Sequence, residues 1–285
     1  MLGCLIIGTG PAGISAALTL KANGVDFALV GKKRLSDKIR KAEKISNYPG
    51  LTGVSGEEFC SALTDQLQRE NIPVEEERVV GVYAMNGSFT CLCESGKAYE
   101  SRTVVLAVGV ESAGKMVGEE TFVGRGVSYC ATCDGMLYKG KTIAVVATHA
   151  HFEKEVEFLT GLAGKTYFIP LYKNPRTDFP NTEILQKPPV MVQGGLKVEK
   201  LLFKDEEKQV DGVFILKESV PPQSLVGGLE TENGHVKIAR DTSTNLDGLF
   251  AAGDLTGRPY QYAKAVGEGN VAAHAVTEYL RDKKE

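Results

Sequence analysis

Residues 5–13 read LIIGTGPAG, a short apolar run that ends in the pattern Gly-x-Gly-x-x-Gly. Apolar residues at helical spacing follow, so the stretch predicts a strand, a tight turn and a helix rather than a glycine-rich turn without a ligand. Gly8 permits the turn, Gly10 lets the backbone approach a pyrophosphate, and Gly13 lets the helix pack on the strand. The helix N-terminus then offers free N–H groups to the phosphates. The predicted phosphate-binding residues are Gly8, Gly10, Pro11, Ala12 and Gly13.

The composition is that of a soluble α/β protein. With 285 residues the chain predicts about two domains, and its net charge of −3 argues against binding nucleic acid. Its first twenty residues are uncharged, but glycines and Pro11 interrupt them and no basic residues precede them, so they predict a buried strand and helix rather than a membrane segment. Six cysteines at this length do not make a disulfide scaffold, which favours a reducing, cytoplasmic setting.

The second predicted strand, residues 26–30, is not followed by the acidic residue that is usual in this fold. A dinucleotide-binding fold normally places an acid after this strand to bind the ribose hydroxyls. Gly31 stands there instead. We therefore expect backbone groups and the neighbouring Lys32 and Lys33 to hold the adenosine end of the ligand.

A second glycine motif lies near the C-terminus. Residues 248–254 read GLFAAGD, a short strand that ends in Gly253-Asp254. An aspartate at this position can accept hydrogen bonds from the ribityl chain of a flavin, and the helix predicted over 263–279 would begin near the electron-rich edge of the flavin. The alternative is a simple turn aspartate. The pairing with the N-terminal motif favours FAD.

Residues 130–134 read CATCD and carry the most specific chemical signal. Two thiols three residues apart form a small disulfide loop, and the adjacent Asp134 can move the proton that a leaving thiol needs. The alternative is half of a zinc site, which would need a second Cys or His pair. Cys91 and Cys93 share one face of a predicted strand, and Cys4 and Cys60 lie among apolar residues, so we predict a redox pair at Cys130 and Cys133 and no metal site.

The chain resembles the low-molecular-weight thioredoxin reductases. The matching stretches are GTGPAG at 8–13, NYPG at 47–50, GVSYCATCDG at 126–135 and TSTNLDGLFAAGD at 242–254. The resemblance implies two Rossmann-like α/β domains: a discontinuous FAD domain over 1–112 and 242–285, and a smaller NADPH-like domain over 113–241 that carries the disulfide. It also implies a homodimer and a rotation of one domain relative to the other.

The resemblance also implies roles for individual residues. Cys133 would face the flavin, Cys130 would attack the disulfide of thioredoxin, and Asp134 would be the acid–base residue. The residues expected along the FAD are Lys32, Asn47, Gly109, Gly253, Asp254, Gln261 and Ala263. Tyr262 would add an aromatic ring over the flavin face that a nicotinamide otherwise occupies.

The second dinucleotide motif is missing. In the family a glycine-rich turn and a following arginine cluster bind NADPH. Here residues 143–160 keep the strand–turn–helix pattern but place Ala147, Thr148, His149 and Phe152 where small residues belong. Pro170-Leu171-Tyr172 replaces the arginine cluster. A Cβ at each turn position blocks the close approach of a pyrophosphate, so we predict that NADPH is not used.

A one-electron protein carrier is the predicted donor in its place. The pattern resembles the ferredoxin-dependent flavin thioredoxin reductases and, more loosely, the cyanobacterial flavin disulfide oxidoreductases. Residues 31–44 carry seven basic and two acidic side chains, which would attract an acidic ferredoxin unless they form only a solvated loop. The basic residues are Lys32, Lys33, Arg34, Lys38, Arg40, Lys41 and Lys44.

Three other functions stay open from the sequence. The first is an NAD(P)H-dependent disulfide reductase with a remodelled pocket. The second is a disulfide oxidoreductase that accepts electrons from a dithiol. The third is a redox sensor or scaffold, against which the intact Cys130, Cys133 and Asp134 argue.

Overall fold

The predicted first strand, Leu2–Ile7, lies in the middle of a parallel sheet. The computed structural model describes residues 1–40, 42–51, 53–110, 116–217 and 221–283. The chain folds into two units. The first unit contains Met1–Val110 and Pro221–Glu285, and the second contains Glu111–Val220.

The elements are numbered in chain order. The described strands are β1 (Leu2–Ile7), β2 (Phe27–Val30), β3 (Val74–Glu75), β4 (Val79–Met85), β5 (Ser88–Cys93), β6 (Ala98–Leu106), β7 (Val127–Ser128), β8 (Thr142–Ala147), β9 (Lys165–Pro170), β10 (Thr182–Ile184), β11 (Met191–Gly194), β12 (Val198–Leu202), β13 (Glu207–Gln209), β14 (Gly212–Leu216), β15 (Thr231–Glu232), β16 (His235–Val236) and β17 (Leu249–Ala251). The described α-helices are α1 (Pro11–Ala22), α2 (Asp37–Arg40), α3 (Gly56–Arg69), α4 (Ala131–Asp134), α5 (Glu153–Leu162), α6 (Pro222–Leu225) and α7 (Tyr262–Asp282).

The sheet of the first unit has a parallel part in the order β3-β2-β1-β6-β17. The N-terminal half of β6 also pairs antiparallel with β5, which pairs with β4. Helices α1 and α7 pack closely, because Gly269 lacks a Cβ that would lie 2.0 Å from the carbonyl oxygen of Ala12. This packing places the two glycine motifs of the sequence at one edge of one sheet.

The second unit contains a parallel sheet in the order β10-β9-β8-β14-β7. A separate antiparallel sheet, β11-β12-β13, accompanies it. Helix α5 connects β8 to β9, which makes the right-handed β-α-β unit of a nucleotide-binding fold. The predicted class, α/β with two Rossmann-like domains, is confirmed.

The boundary between the units differs from the prediction at one place. The first unit ends close to the expected residue 112, but the chain returns to it at Pro221 instead of residue 242. The short helix α6 and the following Val226 belong to the first unit, since Val226 is buried and pairs with Val82 of β4 in an isolated bridge. The sequence did not reveal this contact because the paired residues are far apart along the chain.

Candidate functional site

The N-terminal glycine turn has the geometry that the sequence predicts. Gly8 adopts a φ of +116°, and a Cβ there would lie 2.3 Å from the carbonyl oxygen of Ala107. A Cβ on Gly13 would lie 1.9 Å from the carbonyl oxygen of Gly8. Gly10, the N-cap of α1, is different: a Cβ there would meet no atom within 4 Å. The chain therefore needs Gly8 and Gly13 for its own packing and leaves open space at Gly10, as a pyrophosphate cradle requires.

At Gly31, directly after β2, there is no room for a side chain because Thr9 occupies the adjacent space. A Cβ on Gly31 would lie 2.9 Å from Cγ2 of Thr9, whose hydroxyl donates to the carbonyl of Lys32 at 2.9 Å. A cleft of about 450 Å³ opens beside Gly31 and Lys32. Its other lining residues are polar or charged: Glu76, Glu77, Arg78, Glu94 and Ser95. Acidic groups are thus present next to Gly31, but they come from the end of the adjacent strand β3.

The C-terminal motif lies directly against the first turn. A Cβ on Gly253 would be 3.0 Å from Cβ of Ala12, so the two motifs that the sequence paired are brought together. Two residues that the sequence analysis missed hold the loop after β17. Glu268 accepts the Gly253 N–H at 2.8 Å, and Lys264 donates to the carbonyls of Gly253 and Gly257 at 2.9 Å each. Asp254 begins the 3-10 turn inside this loop.

A second cleft, of about 250 Å³, collects three of the predicted cofactor residues. Asn47, Gln261 and Tyr262 line it, and the Asn47 side-chain amide donates to Oε1 of Gln261 at 2.7 Å. Tyr262 packs against the buried Phe59, with ring centroids 5.6 Å apart. The remaining lining residues are Ala42, Lys44, Ile45 and Tyr260. Ala263 is the second residue of α7, and Gly109 adopts a left-handed conformation with open space around its Cα.

These features fit a bound FAD. The open space at Gly10 suits a pyrophosphate, and the N-terminus of α1 carries no side-chain cap, so its first N–H groups are available to phosphate oxygens. The two clefts lie beside the residues predicted for the two ends of the molecule.

Cys130 and Cys133 form a disulfide in the second unit, with their Cα atoms 5.4 Å apart. Cys130 is buried and precedes α4, while Cys133 is exposed. The Cys133 N–H donates to Sγ of Cys130 at 3.1 Å. The Ser128 hydroxyl accepts the Cys130 N–H at 3.1 Å and donates to the Cys130 carbonyl at 3.2 Å. The pair is therefore fixed to β7 by its buried member and presents its other member to solvent.

Asp134 lies directly after the pair, as the sequence shows, and its backbone N–H reaches the Cys130 carbonyl at 3.4 Å. Burial raises the pKa of the nearby Tyr138, and the carboxylates of Asp134 and Asp211 raise it further. Tyr138 consequently stays a neutral phenol.

The other four cysteines are buried thiols outside any disulfide of the described residues, as predicted. Burial raises the pKa of Cys4 and of Cys91 to about 12, and that of Cys93 to about 11. Neighbouring thiols add to the shift at Cys91. These groups remain thiols at neutral pH and are structural. Among the residues that the structure describes, no three His, Cys, Asp or Glu side chains are grouped to hold a metal ion.

The turn between β8 and α5 is filled by its own side chains. A 3-10 turn, Ala150–Phe152, precedes α5, and the Phe152 side chain is only 2 % exposed within the core of the unit. The His151 ring lies 4.2 Å from the Phe152 ring, and His149 bonds to the Thr148 hydroxyl at 2.9 Å. Phe152 therefore belongs to the hydrophobic core of the unit, and the turn carries Thr148 and His149 side chains where the first turn has glycines.

The start of α5 also carries a negative charge. The Glu153 carboxylate accepts the Tyr172 hydroxyl at 2.8 Å and the Arg176 N–H at 2.9 Å. The Arg176 guanidinium is paired with Glu157 at 3.0 Å and with Asp178 at 2.5 Å. A carboxylate at a helix N-terminus repels a phosphate, and a guanidinium already bound to two acids is a poor partner for one.

Comparisons with known proteins agree with this geometry. A family model described as pyridine nucleotide-disulphide oxidoreductase matches residues 3–147. The thioredoxin reductase of Aquifex aeolicus is 31% identical over 302 residues, covering 98% of this chain and 94% of that relative. In the described part of this chain no helix is both long and apolar enough to cross a membrane.

Solved structures agree as well. The crystal structure of a ferredoxin-flavin thioredoxin reductase from Clostridium acetobutylicum is 43% identical, with a TM-score of 0.89 and 98% of both chains covered. An atypical thioredoxin reductase from Desulfovibrio vulgaris Hildenborough is 26% identical, with a TM-score of 0.72 and the same coverage. The resemblance predicted from the sequence is confirmed, and the chain belongs to the thioredoxin reductase family of oxidoreductases.

Proposed function

We propose that this protein is a flavin thioredoxin reductase that takes its electrons from reduced ferredoxin. They pass through FAD and the Cys130–Cys133 pair to the disulfide of a thioredoxin. The observation that carries the proposal is the second turn, which carries the side chains of Thr148, His149 and Phe152 in a chain whose first turn is open at Gly10 and whose disulfide is intact. The likeness to a ferredoxin-flavin thioredoxin reductase supports the same donor.

FAD is assigned to the edge of the first unit that carries both glycine motifs. Gly8, Gly10 and Gly13 with the N-terminus of α1 hold the pyrophosphate, and Asp254 accepts hydrogen bonds from the ribityl chain. Asn47, Gln261 and Tyr262 lie along the isoalloxazine end, where the Tyr262 ring covers one face. Further contacts are assigned to Pro11, Ala12, Lys32, Gly109, Gly253 and Ala263.

The cleft beside Gly31 is assigned to the adenosine end. The absent acid after β2 is replaced there by carboxylates that follow β3, Glu76 and Glu77, which line the cleft with Lys32. A carboxylate accepts hydrogen bonds from ribose hydroxyls from either strand end, because parallel strands finish at the same edge of the sheet. This assignment adds two carboxylates to the backbone groups and lysines that the sequence led us to expect at this end.

The chemistry of the cysteine pair is a two-electron exchange. FAD accepts electrons singly and delivers a pair to a disulfide. Reduction of the Cys130–Cys133 bond gives two thiols. As the resemblance implies, the Cys130 thiolate, which is buried in the described form, then attacks the thioredoxin disulfide once domain rotation exposes it. Cys133 attacks Cys130 in the mixed disulfide, which releases the thioredoxin dithiol and restores the Cys130–Cys133 bond. Asp134 supplies the proton to the leaving thiolate.

The basic segment over 31–44 supports an acidic donor, with one reassignment. Lys32, Lys33, Arg34 and Lys44 are exposed. Arg40, in contrast, is bound to Glu57 and to the Arg34 carbonyl, so it holds the segment together. Lys41 lies outside the described residues, and the side chain of Lys38 is not described either. Lys44 lines the same cleft as Asn47 and Tyr262, which brings the basic segment to the isoalloxazine end.

A homodimer and a cytoplasmic location complete the proposal. The homodimer follows from the family resemblance. The location is supported by the free thiols of Cys4, Cys60, Cys91 and Cys93, which suit a reducing compartment.

The test is thioredoxin reduction driven by reduced ferredoxin, with serine at each cysteine in turn. We expect the parent to reduce thioredoxin, and Cys130→Ser and Cys133→Ser to abolish it while the flavin is still reduced. Cys60→Ser is the matched control and should retain activity. Thioredoxin reduction that survives in Cys130→Ser would contradict the electron path. A parent that works only with NADPH or NADH would favour the remodelled-pocket reductase, and one that is reduced only by dithiols would favour the reverse oxidoreductase.

A further inference from the structure

A buried ion pair lies beside the redox disulfide and has no part in the chemistry described so far. The Lys217 ammonium is 2.5 Å from Oε1 of Glu119, and these two residues are 5 % and 1 % exposed. Tyr129, 6 % exposed, donates its hydroxyl to the same oxygen at 2.7 Å. We call Glu119, Tyr129 and Lys217 the Glu119 cluster.

The Glu119 carboxylate accepts hydrogen bonds from several donors. Its second oxygen accepts the Met116 N–H at 3.1 Å. The Lys217 ammonium also lies 5.1 Å from the centre of the Tyr129 ring, within the range of a cation–π contact. Glu119 is therefore held by a cation, a phenol and a backbone amide at once, and its position is fixed.

The Glu119 cluster joins the segment that carries Cys130 to the end of β14. Lys217 follows β14 directly, and β14 pairs with β7, whose Ser128 bonds to Cys130. Tyr129 connects the same segment back to Lys217 through Glu119. The backbone that carries Cys130 is thus attached to β14 on one side by the sheet and on the other by the Tyr129 hydroxyl.

A buried ion pair is a costly way to gain stability. The desolvation of two charges commonly cancels their attraction, and apolar residues of similar volume often stabilise a fold equally well. Glu119 and Lys217 are also 98 residues apart in the sequence, so no local element explains their pairing. A role in positioning the neighbouring segment accounts for both facts.

We propose that Tyr129 is a positioning residue, whose hydroxyl, bonded to Glu119, holds Cys130 where the Cys133 N–H stabilises its thiolate. The inference rests on the proposed redox use of Cys130. The Cys133 N–H donates to Cys130 Sγ in the disulfide form. A donor that keeps this position after reduction stabilises the thiolate and makes Cys130 reactive at neutral pH. Without the Tyr129 hydroxyl the segment loosens and this donor is less well aligned.

The test uses the full chain with Cys133→Ser, which leaves Cys130 as the single active-site thiol and keeps the backbone N–H of residue 133. Tyr129→Phe is added to remove only the hydroxyl. The matched control is Tyr172→Phe, which removes the hydroxyl bonded to Glu153 in the same unit. The rates of Cys130 alkylation and of its exchange with a small aromatic disulfide are measured against pH, with the melting temperature and flavin spectrum recorded alongside.

We expect Tyr129→Phe to lower both rates at pH 7 by about tenfold or more, as expected for a misplaced reacting group. The pH of half-maximal alkylation should move upward, and Tyr172→Phe should leave rates and pH profile as in the parent. Parental rates in Tyr129→Phe would overturn the inference, even with a lower melting temperature, because the hydroxyl would then be merely structural.

A second variant separates the hydroxyl from the charges. Glu119→Gln with Lys217→Met is neutral, has similar volume and retains an acceptor for Tyr129. We expect it to fold and to react within about threefold of the parent, since neutral replacements of buried pairs are commonly tolerated. A loss as large as that of Tyr129→Phe would overturn the positioning role of the hydroxyl. If Cys130 in the parent did not react at any pH, the proposed function itself would fail, and the inference with it.

Discussion

The two β–α turns of this chain share one frame and differ in what fills it. After β1 the residues are glycines, and a Cβ on Gly10 would meet no atom within 4 Å. After β8 the residues carry side chains, and Phe152 is buried in the core of the unit. The unit with the open turn holds only buried, inert thiols, whereas the unit with the filled turn holds the disulfide.

The two units thus keep the same β–α frame while the residues of their turns differ. The parallel sheet around β8 is complete, and α5 still follows it. What changed is local: aromatic volume in the turn, and a carboxylate at the helix start that is satisfied by Tyr172 and Arg176. The second unit is therefore a support for the disulfide, and the first unit is the only one whose turn fits a dinucleotide among the residues described.

The largest expected effects come from single methyl groups in the first turn. Gly13→Ala places a Cβ 1.9 Å from the Gly8 carbonyl oxygen, so we expect the free energy of unfolding to fall by about 4 kcal/mol or more, at the upper end for one substitution. Gly10→Ala meets no protein atom, so it should leave the apoprotein stable and weaken FAD binding by about 1–3 kcal/mol, a usual cost of overpacking. Urea unfolding of the apoprotein and FAD titration separate the two. Equal FAD affinity in Gly10→Ala would place the pyrophosphate elsewhere.

Removal of the Phe152 side chain should lower the free energy of unfolding and should not restore reduction of the flavin by NADPH. Phe152→Ala removes a side chain that is 2 % exposed, and we expect a loss of about 3–5 kcal/mol in the free energy of unfolding. NADPH should still fail to reduce the flavin, since Glu153 remains at the start of α5. Denaturant unfolding gives the first quantity and flavin absorbance the second. Flavin reduction by NADPH in this variant alone would show that Phe152 was the single obstacle.

The thiols of the two units should differ in reactivity. The raised pKa values of Cys4 and Cys91, about 12 each, lie far above the ordinary value for cysteine. At pH 8 their thiolate fraction is therefore about a thousandfold lower than that of an ordinary cysteine. Their reactivity stays low until the pH approaches the raised pKa. After reduction, we expect alkylation of the folded protein at pH 8 to label Cys130 and Cys133, and alkylation in denaturant to label all six cysteines. Rapid labelling of Cys91 in the folded protein would contradict its burial.

The smallest effect concerns the basic segment. Lys44→Glu should raise the KM for ferredoxin about three- to tenfold at low ionic strength, and less at high salt. The reason is that it reverses one exposed charge of the basic segment that we propose attracts ferredoxin. Lys21→Glu, an equal charge change at an exposed residue of α1, is the control. Reduction by a small viologen should be unaffected in both. An equal rise in KM for Lys21→Glu would mean that only net charge matters.

Local patterns were sufficient to predict the first turn, the loss of the second and the cysteine pair. In each case the residues that act together lie within about one turn and one helix of each other, so spacing alone carries the signal. The roles of Gly8, Gly10 and Gly13 are examples, since each follows from its place in a motif of six residues.

Contacts between distant segments could not be predicted in this way. The return to the first unit at Pro221 depends on the pairing of Val226 with Val82. The hydrogen bonds that Lys264 and Glu268 make with the Gly253 loop depend on how α7 packs. The Glu119 cluster joins residues almost a hundred positions apart. The acids beside Gly31 were missed because they follow β3 rather than β2.

The proposed donor depends on whether the side chains of the second turn exclude a nicotinamide. We would test this with anaerobic stopped-flow absorbance of the FAD-loaded protein, mixed in separate runs with excess NADPH, excess NADH and reduced ferredoxin. We expect rapid loss of the oxidised flavin band with ferredoxin and no change on that timescale with either nicotinamide. Rapid bleaching by NADPH or NADH would contradict this expectation, because a pyridine nucleotide would then bind despite Phe152 and Glu153.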